Sequence, residues 1–442
     1  MSRPFASSPA YKFLIVFLVA GLLFQTGALR TQLAGIDPGL NPNLPTAGPP
    51  ASMMVQFLTG SIFLAVVGLL LCSRRTTEMA LGTWPIFLLP VLAFVSMLWS
   101  PDPAFTLRKS IAFTGTVMFG FLIATVLNTQ AAVRLLGRTL SLTILLSVIW
   151  VFLYPRYGVH NAADQIELGL TGDWRGVFSH RTALGHVAGL TIALLVFSGS
   201  LIWTSGVVRY GIMVLSVVCL IQAGSGGGFL TGAIVPCALL ATQALIRLKP
   251  ARSRSTVLAL LLVAILPLML LIPKLLPTLL FVLNKQPDLT GRIPLWDALL
   301  ILAQEHLLLG YGYAAGFVYE IQPRVLAATG FTYAHCHNGY LEVLIAFGYL
   351  GLGICLAVVI WLLKTTGRLI VAPPPHLGHL SGLPFIVVLY TLSINCFEST
   401  LITETSYAVV LLALAAGLAT RARIETRDRD ALIARFRRDS HV

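Results

Sequence analysis

Between His335 and Glu342 the sequence places two histidines, an amide and a carboxylate within eight residues, where a polar segment meets an apolar run. A histidine titrates in the pH range that is useful for proton transfer. Glu342 lies inside the apolar run, where an ionised carboxylate costs at least about 2.5 kcal/mol unless it is paired or hydrated. Because Asn338 and Glu342 are four residues apart, they share one face once a helix has begun. We predict that this face looks into a polar cavity.

The same histidines give only weak support to a metal site. His335 and His337 are two residues apart, a spacing that points them to different faces of a helix, so they would need an extended backbone and ligands from elsewhere. Of the six cysteines, only Cys336 lies in a segment outside the apolar runs or their edges, so no disulfide framework is indicated. We therefore predict no bound metal and no cofactor.

Three arginines in the other polar segments offer a second kind of chemistry. Arg175, Arg181 and Arg292 can present planar, forked donors to a phosphate group. Each also has a structural interpretation, because Arg175 and Arg181 could be ordinary interfacial anchors, and Arg292 could begin a helix and pair with a nearby aspartate. Together with a titratable histidine, these arginines predict a site for a phosphate leaving group and a hydroxyl nucleophile.

The composition defines the setting of these residues. Of 442 residues 57% are hydrophobic and 11% are charged, and the mean hydropathy is +0.85, which excludes an ordinary soluble domain. Twelve runs approach the roughly 20 apolar residues that a membrane-spanning helix needs. They lie near residues 12 to 28, 52 to 72, 81 to 99, 110 to 127, 136 to 154, 182 to 203, 207 to 222, 228 to 246, 256 to 273, 339 to 363, 382 to 397 and 405 to 420. We predict an all-α integral membrane protein with about twelve transmembrane helices, forming one polytopic domain over residues 1 to 420.

The positive charges predict its orientation. Twenty of the 30 lysines and arginines fall in segments on the side of the N-terminus, which predicts cytoplasmic termini and a basic cytoplasmic tail at residues 421 to 442. The long segments 155 to 181 and 274 to 338 then lie outside, the second carrying short helices. Attraction to anionic membrane lipid suffices to explain the net charge of +13, so we expect no nucleic-acid partner.

Several motifs recur in an order that resembles the O-antigen ligase and O-antigen polymerase superfamily. The likeness extends over roughly residues 80 to 360, and its last motif is the most specific. The motifs are Trp99-Ser100-Pro101-Asp102-Pro103 with Arg108, Trp174-Arg175-Gly176-Val177-Phe178-Ser179-His180, Gly291-Arg292 with Trp296, Leu309-Gly310-Tyr311-Gly312, and His337-Asn338-Gly339-Tyr340-Leu341-Glu342 with Gly348 and Gly351.

This resemblance implies a membrane glycosyltransferase of the GT-C type that is independent of metal ions. Such an enzyme takes a glycan from an undecaprenyl-diphosphate carrier at the periplasmic face of the bacterial inner membrane. Carried over to this sequence, the resemblance implies that Arg175 and Arg292 bind the carrier diphosphate and that His337 acts near the acceptor hydroxyl or the leaving group. Arg181 stands where many members have Lys, which keeps the charge at the diphosphate site. Thr182 stands where many have Asn, so a role for that amide is not carried over.

The resulting hypothesis is a single displacement. His337 accepts the proton of the acceptor hydroxyl with Glu342 or His335 orienting it, the arginines neutralise the diphosphate, and the anomeric carbon is inverted. We assign Asn338, Trp174 and Trp296 to substrate binding. The acceptor is either another carrier-linked glycan, as in a polymerase, or a lipid A core sugar, as in a ligase, and the segment from Trp174 to His180 looks more like the exopolysaccharide-polymerase branch.

Two other classes of function remain as alternatives. Twelve spans are also typical of a transporter or a flippase of lipid-linked glycans, but the sequence shows no internal repeat and its polar residues concentrate at one face. His186, inside the sixth run, is the main exception and is interpreted as a hydrogen-bonded buried histidine.

The alternative of an intramembrane protease that uses Ser225 has weaker support, since no histidine is placed beside Ser225. We interpret the glycines from Gly224 to Gly228 first as a site of close helix packing.

Overall fold

The computed structural model describes residues 8–28, 53–73, 75–161, 164, 170–248, 251–260, 263 and 292–439. Over these ranges the chain is helical and contains no strand, apart from an isolated bridge between Val159 and Trp174. The predicted all-α membrane class is thereby confirmed. Gly291, the link from residue 30 to 50, and the first part of the long segment 274 to 338 lie outside the described residues.

Thirteen helices organise the described chain. They are α1 (Pro9–Gln25), α2 (Met53–Leu71), α3 (Thr76–Leu98, with a 3-10 turn at Trp84–Phe87), α4 (Pro103–Val126), α5 (Thr129–Leu153), α6 (Arg181–Ile202), α7 (Gly206–Gln222), α8 (Gly226–Arg247), α9 (Arg292–Ala303), α10 (Gln322–Thr329), α11 (Gly339–Val371), α12 (Leu383–Ile394) and α13 (Tyr407–Asp439). Residues 251–260 are also helical, and a single helical turn, Pro155–Gly158, follows α5.

The helices match the predicted apolar runs closely. The six helices α3, α4, α5, α6, α11 and α13 are long and apolar enough to cross a membrane, and apolar stretches of 10–17 residues lie in or beside α1, α2, α7, α8 and α12. Eleven of the twelve runs therefore coincide with apolar helices. The ninth, residues 256 to 273, is described only at 256–260 and 263. The predicted boundary of the basic tail at residue 420 falls inside α13, which continues through it as one helix.

Polar side chains define where several helices begin. Asp102 accepts a hydrogen bond from the amide of Phe105 at 2.9 Å and is followed by a proline, and Asn128 accepts one from the amide of Ala131 at 2.9 Å. These contacts satisfy amide groups that the first turn of a helix leaves without a partner. His180, Ser225 and Asn338 occupy the same position before α6, α8 and α11. Three of the candidate segments are therefore fixed by a helix start.

Glycines allow the central helices to approach one another closely. A Cβ on Gly228 in α8 would lie 2.9 Å from the Cα of Gly185 in α6, and one on Gly120 in α4 would lie 2.3 Å from the carbonyl oxygen of Val410 in α13. Small residues at such contacts are typical of helices packed within membranes. The interpretation of the glycine-rich run as a packing site is confirmed for Gly228.

At one end of the bundle, arginines contact the last turns of neighbouring helices. Arg421 donates hydrogen bonds to the carbonyl oxygens of Ala124, Thr125 and Leu127, at the end of α4. Arg138 donates in the same way to the carbonyl of Ile202, at the end of α6. A cation is favourable at a helix C-terminus, where the backbone carbonyls have no partner within the helix. Part of the basic charge therefore stabilises the helix bundle itself.

The long helix α11 is interrupted at Gly348, and a segment of the chain fills the interruption. Gly348 has a φ of +62°, and the amides of Tyr349 and Leu350 donate to the carbonyls of Leu307 and Leu308. On the other side of the break, the carbonyl of Ile345 accepts from the amide of Tyr311 at 2.8 Å. Unpaired backbone groups are costly inside a membrane. Residues 307 to 312 remove that cost and fix the first two turns of α11, which carry the candidate site.

Candidate functional site

The segment before α11 is held in place by three of the predicted site residues. Asn338 is the N-cap of the helix, and its side-chain oxygen accepts from the amides of Tyr340 and Leu341 at 3.0 and 3.1 Å. Trp296 in α9 donates its indole N–H to the carbonyl of Cys336 at 2.9 Å, and Glu342 accepts from the amide of Cys336 at 2.9 Å. In this structure Asn338, Trp296 and Glu342 therefore shape the histidine segment.

His337 projects from this segment with an unusual backbone. Its φ is +49°, in the left-handed region that residues other than glycine rarely adopt. Its amide donates to Nδ1 of His335 at 3.2 Å, and the two ring centroids are 4.1 Å apart. Nδ1 of His337 is buried and has no hydrogen-bond partner within 3.5 Å among the described residues. The local structure thus holds two imidazoles together and leaves one nitrogen available for chemistry.

A carboxylate from another part of the chain joins Arg292 to His337. Glu398, in the connection between α12 and α13, accepts from Nη2 of Arg292 at 3.0 Å, and its second oxygen lies 3.9 Å from Nδ1 of His337. The side chains of Arg292, His337 and Glu398 are 18%, 21% and 13% exposed. They are shielded enough for strong electrostatic interactions and remain accessible to a ligand. We call these three residues with His335 the open cluster.

The start of α6 contributes a second group of polar residues. The rings of His160 and His180 lie 5.3 Å apart in an edge-to-face arrangement, and Nε2 of His160 accepts from the amide of Arg181 at 3.3 Å. The Arg181 guanidinium donates to Asp173 at 2.6 Å and to the carbonyl of Gly224 at 3.2 Å. Arg181 therefore connects the start of α6 to the turn between α7 and α8.

Arg175 lies behind this second group and is fully buried. Its side chain is 0% exposed, and it donates to Asp164 at 2.8 Å and to the carbonyls of Tyr157 and Arg156 at 3.0 and 2.9 Å. Asp164 also lies 3.0 Å from Nδ1 of His160. The donors of Arg175 are thus directed at protein groups, and a diphosphate would have to displace them to reach it. We call Arg175, Asp164 and His160 the buried network.

Trp174, the neighbour of Arg175, has both backbone and ring contacts. Its amide donates to the carbonyl of Gln222, and its ring lies edge-to-face against Phe152 with centroids 5.9 Å apart. These contacts tie the segment around residue 175 to α5 and α7. Of the predicted substrate-binding residues, Trp174 therefore lies with the buried network, whereas Trp296 and Asn338 lie beside the open cluster.

Burial and positive charge keep the site histidines neutral near pH 7. Burial, followed by the charge of Arg292, lowers the pKa of His335 to about 4. Burial, His335, Arg292 and His180 lower the pKa of His337 well below its ordinary value. The pKa of His180 falls for similar reasons, through burial first and then through His160, Arg181, Arg292 and His335. The charge of Arg292 also acts on His180, so the two polar groups lie within electrostatic range of each other. A neutral His337 can accept a proton.

The structure adds Glu398 to the predicted partners of His337. The sequence offered Glu342 or His335 as the orienting group. Glu342 contacts the amide of Cys336, His335 accepts from the amide of His337, and Glu398 lies 3.9 Å from the ring nitrogen of His337. The third metal-ligating group that the sequence lacked is also supplied by Glu398. One ligand atom from each of His335, His337 and Glu398 lies within 4.8 Å of the others. These three residues could hold a metal ion.

Three residues of the site, Glu398, His160 and Asp164, were not predicted from the sequence. Glu398 stands more than 50 residues after His337, in a short connection without a motif. The signal that could have identified it is a carboxylate at the end of an apolar run, the same signal that identified Glu342. His160 and Asp164 lie four residues apart in the polar segment that contains Arg175, but no pattern in the sequence joins them to it.

Comparison with known proteins connects this geometry to a family. A family model described as O-antigen ligase matches residues 211–356, which include Arg292, His335 and His337. The exopolysaccharide production protein ExoQ of Rhizobium meliloti (strain 1021) is 24% identical over 281 residues. That match covers 60% of this chain and spans 61% of the length of ExoQ. With the ordered motifs between residues 80 and 360, these matches support the resemblance of the chain to the O-antigen ligase and polymerase superfamily.

Proposed function

We propose that the protein is a membrane glycosyltransferase that moves a glycan from an undecaprenyl-diphosphate carrier to an acceptor hydroxyl. The reaction takes place at the periplasmic face of the bacterial inner membrane, with both termini in the cytoplasm, and needs no metal ion. The observation that carries the proposal is the open cluster, in which Glu398 lies between the guanidinium of Arg292 and Nδ1 of His337. It combines an anion-binding group with a proton acceptor in a chain that a family model described as O-antigen ligase matches over residues 211–356.

Arg292 is the residue that binds the diphosphate. Its side chain is partly exposed, and its ion pair with Glu398 is formed by Nη2. This ion pair fixes the position of the guanidinium. A bidentate guanidinium–phosphate contact would neutralise the negative charge that develops on the leaving group. Arg181 adds a second positive charge from the start of α6. Arg175 supports this site indirectly, because it fixes Asp164 and through it His160, whose ring contacts the amide of Arg181.

His337 is the proton acceptor. The acceptor hydroxyl attacks the anomeric carbon, its proton passes to Nδ1 of His337, and the bond between that carbon and the diphosphate oxygen breaks with its electron pair on oxygen. Glu398 stabilises the imidazolium that forms, since a carboxylate beside a charged histidine is favourable. A single in-line displacement of this kind inverts the anomeric carbon and requires no covalent intermediate.

The acceptor that we favour is a second carrier-linked glycan, which makes the protein a polysaccharide polymerase. The similarity to an exopolysaccharide production protein supports this choice. A ligase would instead use a lipid A core sugar. Mass spectrometry of the lipid end of the product distinguishes the two, because a polymerase product retains the undecaprenyl diphosphate and a ligase product carries lipid A.

The test uses purified protein in lipid vesicles with polyprenyl-diphosphate-linked oligosaccharide. We expect His337→Ala and Arg292→Ala each to lower transfer by about 10²- to 10³-fold. His306→Ala and Arg324→Ala are the matched controls, because both residues lie in the same external segment and Arg324 forms its own ion pair with Glu305. Both controls should retain transfer.

Three outcomes would contradict the proposal. Wild-type turnover in both site variants would remove the assigned roles. Loss of turnover on adding EDTA, with recovery on adding a divalent ion, would remove the metal-independent mechanism. Movement of the lipid-linked glycan across the vesicle membrane without any new glycosidic bond would instead indicate a flippase.

A further inference from the structure

The open cluster has the composition of a site for a transition-metal ion. We propose that His335, His337 and Glu398 bind one Zn²⁺ ion reversibly, and that the bound ion inhibits the protein. Binding follows from the side chains alone, whereas inhibition rests on the proposed function, since it requires His337 to act as the proton acceptor. The metal here is an inhibitor and takes no part in transfer.

The distances are close to those of a coordinated ion. One ligand atom of each residue lies within 4.8 Å of the other two, and Nδ1 of His337 lies 3.9 Å from the nearer oxygen of Glu398. Bonds of about 2.0 to 2.2 Å in a tetrahedral zinc site place ligand atoms roughly 3.3 to 3.6 Å apart. The required contraction is small, because Glu398 lies in a connection between helices and can approach by rotating its side chain.

The two imidazoles are already arranged for a shared ion. A left-handed backbone at His337 and the contact of its amide with Nδ1 of His335 hold the ring centroids 4.1 Å apart. Because Nδ1 of His335 accepts the hydrogen bond from the His337 amide, Nε2 is the His335 atom that would bind the metal. Nδ1 of His337 is buried without a hydrogen-bond partner among the described residues, and a metal bond would satisfy it. Such preorganisation lowers the cost of binding.

The ligand types select the ion. Two imidazoles and one carboxylate suit Zn²⁺ or Co²⁺, whereas Mg²⁺ and Ca²⁺ prefer oxygen ligands. Three protein ligands leave a fourth position for water, as in zinc sites that exchange ligands. The guanidinium of Arg292, which contacts the other oxygen of Glu398 at 3.0 Å, repels a dication. We therefore expect binding weaker than that of a structural zinc site and reversible by EDTA.

Zinc binding would stop transfer through two groups at once. The ion would occupy the nitrogen of His337 that accepts the proton of the acceptor hydroxyl. The ion would also draw Glu398 away from Arg292. The guanidinium of Arg292 would then lose the ion pair that fixes its position. Both effects need only the ion pair and the 3.9 Å approach that the structure shows.

The binding experiment does not depend on turnover. Purified full-length protein, stripped with EDTA and held in uncharged detergent, is titrated with Zn²⁺ by calorimetry and with Co²⁺ by visible absorption. We expect one ion per chain in the wild type. His335→Ala, His337→Ala and Glu398→Gln should each weaken binding about tenfold or more. The matched controls His306→Ala and Glu305→Gln, from the exposed part of the same segment, should bind as the wild type does.

Inhibition is then measured in the transfer assay. Wild-type transfer should fall as the site fills with Zn²⁺, with the same concentration dependence as binding, and should recover with EDTA. Absence of binding, or equal binding by all three site variants, would overturn the zinc site. Binding without inhibition would overturn the inhibitory role. Absence of transfer in every metal-free sample would overturn the proposed function and leave the binding result intact.

Discussion

Arg175 and Arg292 come from two motifs of the same family resemblance, yet their surroundings differ completely. Arg175 is 0% exposed and donates to a carboxylate and two backbone carbonyls. Arg292 is 18% exposed and has an ion pair with Glu398, which also approaches His337. One arginine holds a segment of chain together, and the other keeps part of its side chain exposed.

This difference shows that a motif identifies a residue without fixing its role. A buried guanidinium needs all of its donors satisfied, and breaking such a pair leaves an uncompensated charge. The ion pair of Arg292 with Glu398 keeps contact with solvent, so both residues remain available for binding and chemistry. The buried network should therefore determine whether the protein folds, and the open cluster should determine whether it transfers glycan.

The largest effect is expected from Arg175→Ala. Removing the guanidinium leaves Asp164 buried without its cation, which costs about 3 to 5 kcal/mol. Thermal unfolding of the detergent-solubilised protein measures the loss. Arg156→Ala is the matched control, because Arg156 is exposed in the same segment and contacts Arg175 through its backbone carbonyl, which the substitution keeps. Equal thermal stability of the two variants would remove the distinction between the regions.

Arg292→Lys should give the opposite pattern. The charge remains but the planar fork is lost, so transfer should fall by about 10- to 100-fold. The thermal stability should change by less than about 1 kcal/mol, because lysine keeps a positive charge beside Glu398. Arg324→Lys, in the exposed pair with Glu305, serves as the control and should retain transfer. Full activity of Arg292→Lys would mean that a point charge is sufficient at this position.

Gly348→Ala tests the backbone that supports the open cluster. Its φ of +62° disfavours a side chain, and a Cβ would lie 2.4 Å from the carbonyl of Leu308, so we expect a loss of about 1 to 3 kcal/mol. Transfer should fall as well, because the first turns of α11 lose their fixed position. Gly353→Ala is the matched control in the same helix, where an added Cβ meets no atom within 4 Å. That control should be neutral or slightly more stable.

The smallest effect concerns pH. Because burial lowers the pKa of His337, the neutral form persists below the ordinary pKa of 6.5, and transfer should decline only as the pH falls through the lowered value. The charge of Arg292 contributes to that lowering, so Arg292→Gln should raise the pKa and start the decline at a higher pH. The pH dependence of kcat/KM, normalised for each protein, measures the shift. An unshifted acid limb would show that Arg292 does not act on His337.

The fold was largely predictable because apolar length is a local property. Runs such as 110 to 127 and 182 to 203 specify helices without reference to the rest of the chain, and capping residues such as Asp102 define their starts. The interruption of α11 was not predictable in this way. Gly348 was visible as part of a motif, but the segment that fills the gap comes from residues 307 to 312, and only tertiary structure joins them.

The site was predicted in part, for the same physical reason. Arg292 and His337 were identified from motifs, and the structure brings them to the same carboxylate. Glu398 could not be paired with them from sequence, because a contact across 106 residues leaves no periodic signal. The burial of the Arg175 side chain could not be predicted from the sequence either. It depends on how Asp164 and the carbonyls of residues 156 and 157 fold around the guanidinium.

The position of Glu398 late in the chain has a consequence for biosynthesis. During translation, Arg292 and His337 are synthesised well before Glu398, which lies between α12 and α13. A nascent chain therefore contains both residues before it contains the carboxylate that they share. We expect the growing protein to be inactive toward lipid-linked glycan until α12 and the connection that carries Glu398 have been inserted. Chains truncated before residue 395 should be inactive, and co-insertion of a fragment that carries α12, Glu398 and α13 should restore transfer. Activity would then begin only after Glu398 has joined Arg292 and His337.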